Sequence, residues 1–147
     1  MTLDPSTTTP SEQFPEYLND LASFRYTLRK FLAFSEVASE RAGIQAQQYQ
    51  LMQVIASIPP EQHTSISYLS ERMVLRHNST VELVDRAERA GLVERRNDAR
   101  DLRRSLVVLT PKGSQILRTL VKEHTEELKR YGSELLNSLQ HVMEAVK

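Results

Sequence analysis

The chain has 147 residues, enough for one hydrophobic core and cramped for two independent domains, and its 39% hydrophobic and 26% charged residues suit an ordinary globular protein. Lys plus Arg and Asp plus Glu number 19 each, so the chain as a whole is no polycation, and any nucleic-acid binding must come from local patches. Cysteine is absent, which excludes disulfides, thiolate zinc sites and thiol redox switching, and no apolar stretch approaches the roughly 20 residues that span a bilayer.

The opening stretch MTLDPSTTTPSEQ has no basic start followed by an apolar block. It reads as a Ser/Thr/Pro-rich tail over residues 1–13, expected to be disordered, and the protein is expected to be cytoplasmic. Residues 14–147 are expected to form a single domain. From Glu16 to Arg41 there is no glycine or proline, and Tyr17, Leu21, Phe24, Leu28, Phe31, Ser35 and Ala38 recur at steps of four and three. That spacing predicts a helix over 16–41, widened by Phe34 and Val37 and ended by Gly43. A second helix, about 45–57, turns Tyr49, Met52 and Ile55, or Leu51 and Val54, inward before Pro59 and Pro60 stop it.

Two short helices follow, near 67–73 and 79–90, joined by about four residues at Val74 to His77, the spacing of a helix-turn-helix. Ser79 with Glu82 three positions later matches a capping box, and Gly91 suits the left-handed residue that closes a helix. Val81, Val84 and Ala87 are expected to pack inward, leaving Ser79, Glu82 and Arg86 on one exposed face that fits a groove. The segments LVERR and SLVVLT flank the polar NDARDLRR and predict a β-hairpin with a charged tip. In LTPKG, Thr110 is a helix N-cap and Pro111 the first helical residue, where its missing N–H costs nothing. Ile116 or Leu117, Leu120, His124 and Leu128 then share a helical face, Gly132 is expected to break the helix, and Leu135, Leu139, Val142 and Val146 continue on a last one.

The fold class is therefore mainly α with a small β-hairpin wing. A winged helix-turn-helix core over about 59–110 lies between apolar helices at about 16–41 and 111–147. One small core cannot bury both terminal stripes, so a homodimer is expected, with Leu21, Phe24, Leu28, Leu128, Leu135, Leu139 and Val142 at its interface. The plainer alternative is that the two helices pack on each other within one chain.

The run TVELVDRAERAGLVERRNDARDLRRSLVVLTPKG, with its Gly-Leu-Val-x-Arg, its Asp-x-Arg and its Leu-Thr-x-x-Gly, resembles the multiple-antibiotic-resistance regulator (MarR) family of winged-helix transcription factors. The likeness runs from about Phe31 to Leu128. The resemblance implies a homodimer whose recognition helices enter the major groove while a wing arginine reaches the minor groove. Carried over by position, it places His77, Asn78, Ser79, Thr80, Glu82 and Arg86 nearest double-stranded DNA. It makes Arg103 the wing arginine, with Arg100 and Arg104 beside it, and Asp101 the residue that braces the wing arginines and the recognition helix. Tyr49 and Met52 are then candidate lining for a small-molecule effector pocket, although helical spacing alone more often means core. Glu82, an acid on a face that meets phosphate, is expected to cap the helix rather than read a base.

Asp85 to Arg104 contains Arg86, Arg89, Arg95, Arg96, Arg100, Arg103 and Arg104 and no lysine, which favours bidentate contact with phosphate or guanine and a narrow minor groove. Asp85, Glu88, Glu94, Asp98 and Asp101 are interleaved, so some arginines must be spent in salt bridges. His63, His77, His124 and His141 have no zinc-ligand spacing, and no metal or cofactor is expected. Gly-x-Ser-x-Gly, phosphate-cradling glycine loops and paired His/Glu metal motifs are missing, so the chain does not read as an enzyme. The function expected is a sequence-specific DNA-binding regulator, a ligand-released repressor on a pseudo-palindromic operator. The rival reading is a winged-helix adaptor that binds protein and not DNA.

Overall fold

A computed structural model describes residues 13–145; of the sequence expectations, the tail (all but Gln13) and Val146 lie outside the described residues. The element order is α1 (Leu18–Arg41), α2 (Ala46–Ala56), α3 (Ile66–Met73), α4 (His77–Arg89), β1 (Val93–Asn97), β2 (Ser105–Leu109) and α5 (Pro111–Ala145). Contacts divide the described residues into two compact units, one of the residues up to Phe34 together with those from Thr125, the other of Ser35–His124.

In the Ser35–His124 unit, Leu51, Met52, Leu69, Leu83, Val84, Leu92, Val93, Val107 and Leu120 are buried at 2% exposure or less. Both inward stripes foreseen for α2 are used, with Val54 only partly covered. Two helix ends close on a left-handed glycine. Gly43 and Gly91 have φ of 82° and 75°. At the second, the Gly91 N–H donates to the Glu88 carbonyl and the Leu92 N–H to the Ala87 carbonyl, satisfying groups the last turn leaves open.

β1 and β2 pair antiparallel, Val93 opposite Leu109 and Asn97 opposite Ser105. The Val107 N–H also donates to the Thr64 hydroxyl at 3.0 Å, tying the segment before α3 to the wing. Thr110 caps α5 as its sequence suggested: its hydroxyl accepts the Gly113 N–H at 3.0 Å and donates to the Gly91 carbonyl at 2.6 Å. Gly113 is required by a close approach, because a Cβ there would stand 2.1 Å from the Leu92 carbonyl oxygen.

Two sequence expectations are corrected. α5 is one 35-residue helix that runs through Gly132, since a single glycine lowers helix stability by about 1 kcal/mol and a helix this long absorbs it. α4 starts at His77 and not at Ser79, so Ser79 sits inside the first turn and no capping box with Glu82 forms; Arg76 holds the N-cap without a side-chain cap.

In the other unit, the α1 and α5 segments do meet. The Thr27 and Ser138 hydroxyls are 2.9 Å apart, and the Lys30 ammonium donates to Glu134 at 2.6 Å while standing 5.0 Å over the Tyr26 ring. Their pairing still leaves apolar surface open: Leu21, Leu128, Tyr131, Leu136, Leu139 and Met143 are exposed.

Candidate nucleic-acid interface

α4 has a buried side and an open side. Thr80, Leu83, Val84 and Ala87 face the core, and His77, Asn78, Ser79, Glu82 and Arg86 are exposed, as their spacing required. Thr80 is the exception among the expected DNA-facing residues. It is fully buried, and its hydroxyl donates to the Arg76 carbonyl at 3.0 Å, so its side chain is a packing residue. Thr80 precedes Val84 by four positions and Ala87 by seven, so helical spacing puts it on the inner face with Leu83, Val84 and Ala87.

Acids sort the seven arginines. Arg95 donates to Asp85 at 2.7 Å and to Glu88 at 2.9 Å, and its backbone N–H reaches the second Glu88 oxygen at 3.2 Å. It therefore ties β1 to α4. Arg96 pairs with Glu94 along the strand. Arg86, Arg89, Arg100 and Arg104 are exposed and form no ion pair among the described residues. The sequence showed that acids and arginines alternate; it did not show which of them meet, because Asp85 and Arg95 are brought together by the turn at Gly91.

Two aspartates shape the wing tip. Asp98, 6% exposed, accepts the Arg100 N–H at 2.9 Å, and its own N–H donates to the Arg104 carbonyl at 3.0 Å. Sequence reasoning had placed Asp98 only among the interleaved acids; its burial needed the hairpin. Asp101 accepts both the Arg103 backbone N–H at 3.1 Å and the Arg103 Nε–H at 3.2 Å. These bonds, the backbone one first, hold the Asp101 carboxyl below the usual aspartate range. The Arg103 side chain is 93% exposed even so. Asp101 thus holds Arg103 two positions on, and no hydrogen bond between its carboxylate and α4 occurs among the described residues.

Tyr49 and Met52, the candidate lining of an effector pocket, are packed into the core. They are 4% and 0% exposed core residues, and burial pushes the Tyr49 phenol up. The Tyr49 ring stacks on His124, centroids 4.3 Å apart. The His124 Nδ1–H donates to the Leu120 carbonyl at 2.7 Å, and Nε2 is 2.9 Å from the Ser35 hydroxyl, so His124 takes the structural role foreseen for it. A cavity of 190 Å³ lies instead in the other unit, between Phe31 and Thr27 of α1 and Leu128, Tyr131 and Leu135 of α5. No group of three or more His, Asp or Glu side chains suited to a metal occurs among the described residues, and no described helix is long and apolar enough to cross a membrane.

The sequence model of the MarR family matches residues 42–104, from the end of α1 through the wing tip. Over these residues the chain is similar to the MarR family. Solved structures agree with this likeness. A MarR family protein from Bacillus stearothermophilus is 26% identical, with 77% of this chain and 75% of that one covered and a TM-score of 0.64. AbsC, a MarR family transcriptional regulator from Streptomyces coelicolor, is 21% identical over 95% of this chain and 92% of its own, with a TM-score of 0.71. The M. tuberculosis transcriptional regulator MosR, solved in complex with DNA, is 22% identical over 74% of this chain and 77% of its own, with a TM-score of 0.58. No curated protein matches the chain by sequence. The last two likenesses are of fold, so the MarR winged helix is shared while the roles of individual side chains rest on the geometry above.

Proposed function

We propose that this MarR family chain is a sequence-specific DNA-binding transcriptional regulator that acts as a homodimer on a pseudo-palindromic site. One observation carries the reading. Exposed arginines are presented from two elements of one lobe, Arg86 from α4 and Arg103 from a wing turn held in shape by Asp98 and Asp101. An α-helix fits the major groove, and an arginine on a narrow wing fits the minor groove beside it. In this reading His77, Asn78, Ser79 and Arg86 face base edges and phosphates, and Arg100, Arg103 and Arg104 line the wing's path. Glu82, exposed and freed from a capping role, faces the same groove, where it excludes phosphate and accepts from a cytosine amino group.

The dimer follows from the open apolar side chains of α1 and α5, among them Leu21, Leu128 and Leu139, with Phe24, Leu28, Leu135 and Val142 partly covered beneath them. The regulator is proposed to be a repressor released by a small molecule. A ligand that favours a spacing of the two recognition helices unfit for successive grooves, about 34 Å apart, lowers DNA affinity by its differential binding to that state. CouR from Rhodococcus jostii, which shares this fold, has been solved bound to p-coumaroyl-CoA. Here the cavity beside Phe31 and Tyr131 is the candidate ligand site in place of Tyr49 and Met52.

Selection of bound sequences from a random duplex pool by the purified chain tests the proposal. Recovery of a palindrome with half-sites about one helical turn apart supports it. A folded, dimeric protein that enriches no sequence favours the protein-binding adaptor.

A further inference from the structure

Among the wing-tip residues 98–104, one large apolar side chain stands in water. Leu102 is 78% exposed, between Asp101 and Arg103, with Arg100 and Arg104 two positions to either side. The backbone that carries it is tied down. The Arg104 N–H donates to the Asp101 carbonyl at 2.9 Å, closing a four-residue turn whose two corner residues are Leu102 and Arg103. Below that turn the Asp98 N–H bonds the Arg104 carbonyl, and the Asp98 carboxylate takes the Arg100 N–H.

Neither local chemistry nor packing accounts for a leucine there. Corner positions favour residues that preset the turn or hydrogen-bond to it, such as Pro, Asn, Asp or Gly, and leucine does neither. Burial within the chain does not account for it either, at this exposure. What the turn does achieve is to present an aliphatic group and a guanidinium side by side, flanked by two further exposed arginines. A surface complementary to that set has anionic walls and an apolar floor that admits a narrow wedge. The minor groove of duplex DNA is such a surface, with phosphates along both walls and base steps that part to admit an aliphatic side chain.

We propose that Leu102 is a minor-groove wedge. Resting on the DNA-binding reading above, Leu102 enters a base step beside Arg103, widens the groove and bends the duplex where the wing lands. Pyrimidine–purine steps unstack most readily, so the wedge adds a preference for such a step at a position no hydrogen bond reads. Arg103, by contrast, supplies charge that the groove width selects.

The test uses the full-length protein and a duplex selected by it from a random pool. Affinity, salt dependence and the bend angle from end-to-end energy transfer are measured for the wild type, Leu102→Ser, Leu102→Met and Arg103→Ala. Leu102→Ser is expected to weaken binding about tenfold, to reduce the bend and to flatten the step preference while leaving the salt slope unchanged. Leu102→Met is expected to restore affinity and bend, and Arg103→Ala to lower the salt slope by about one phosphate contact. Leu102 touches no core, so equal thermal midpoints of the variants separate these effects from folding. If Leu102→Ser binds and bends like the wild type, or Leu102→Met behaves like Leu102→Ser, the wedge is overturned and the DNA-binding reading stands. If the wild type selects no duplex, that reading fails and the wedge fails with it.

Discussion

Val74 closes α3 with φ at 55°, the left-handed region in which a β-branched side chain is crowded. Its N–H donates to the Glu71 carbonyl and the next N–H, of Leu75, to the Ser70 carbonyl, the same pair of bonds that glycine supports at Gly43 and Gly91. Its side chain is 88% exposed, so little packing compensates. Val74→Gly is therefore expected to raise stability by about 1 kcal/mol, the relief of strain exceeding the added freedom of the unfolded chain. A urea midpoint unchanged or lower would show that the turn is not strained. Asp101 makes a pH prediction. Its folded value is lowered by the Arg103 hydrogen bonds, so its contribution to wing order is present above the ordinary aspartate value and is lost as pH falls through the lowered one. The Arg103 Nε–H resonance should keep its bonded position at neutral pH and move only in acid below the ordinary aspartate range. Movement near neutrality would mean that another group controls it. The Asp-x-Arg pattern pointed to Asp101, but the strain at Val74 had no signal in the sequence, because nothing about a valine announces the sign of φ.

Two glycines of α5 predict opposite outcomes. Gly113 has the Leu92 carbonyl oxygen where a Cβ would sit, at 2.1 Å, so Gly113→Ala must push α5 from the β1 entry and is expected to cost about 3 kcal/mol. Gly132 would place a Cβ in ordinary contact, 3.8 Å from the Leu128 Cβ, so Gly132→Ala is expected to stabilise the helix by roughly 0.5–1 kcal/mol. Chemical denaturation of both variants checks the pair, and equal effects would contradict it. The Thr-Pro start of α5 was legible because capping is a contact over three residues. The continuity through Gly132 was not, since it depends on what lies along the helix on either side. For the same reason α4 begins two residues early: burial of Thr80 with Leu83, Val84 and Ala87 sets its phase, and a capping box at Ser79 gives way.

For the whole molecule, the apolar residues left open on α1 and α5 matter most, since contiguous exposed patches of this kind mark association surfaces. The two helices do pack within one chain, through Thr27, Ser138, Lys30 and Glu134, so the plainer reading of the stripes is realised in part. It does not cover Leu128 or Leu139, at 42% and 38% exposure. Replacing both with glutamate is expected to weaken self-association by about two orders of magnitude, seen as the chain's own mass by light scattering, with helix content retained. A dimer untouched by the double change would place the interface elsewhere. Under the proposed reading of a palindromic site by two copies of α4, the same variant is expected to lose most of its affinity for a selected duplex.

The sequence by itself determined the order and type of the elements, apart from the start of α4 and the continuity of α5, because helical and strand periods and most proline and glycine punctuation are local. It also determined that an arginine-rich wing follows a short helix pair. Only the tertiary structure decided which arginines remain open and which are held by acids, and that Asp98 is buried under the wing tip. Those outcomes depend on residues brought together by a turn or a helix packing, such as Arg95 with Asp85 or His124 with Ser35, and proximity of that kind is a property of the folded chain.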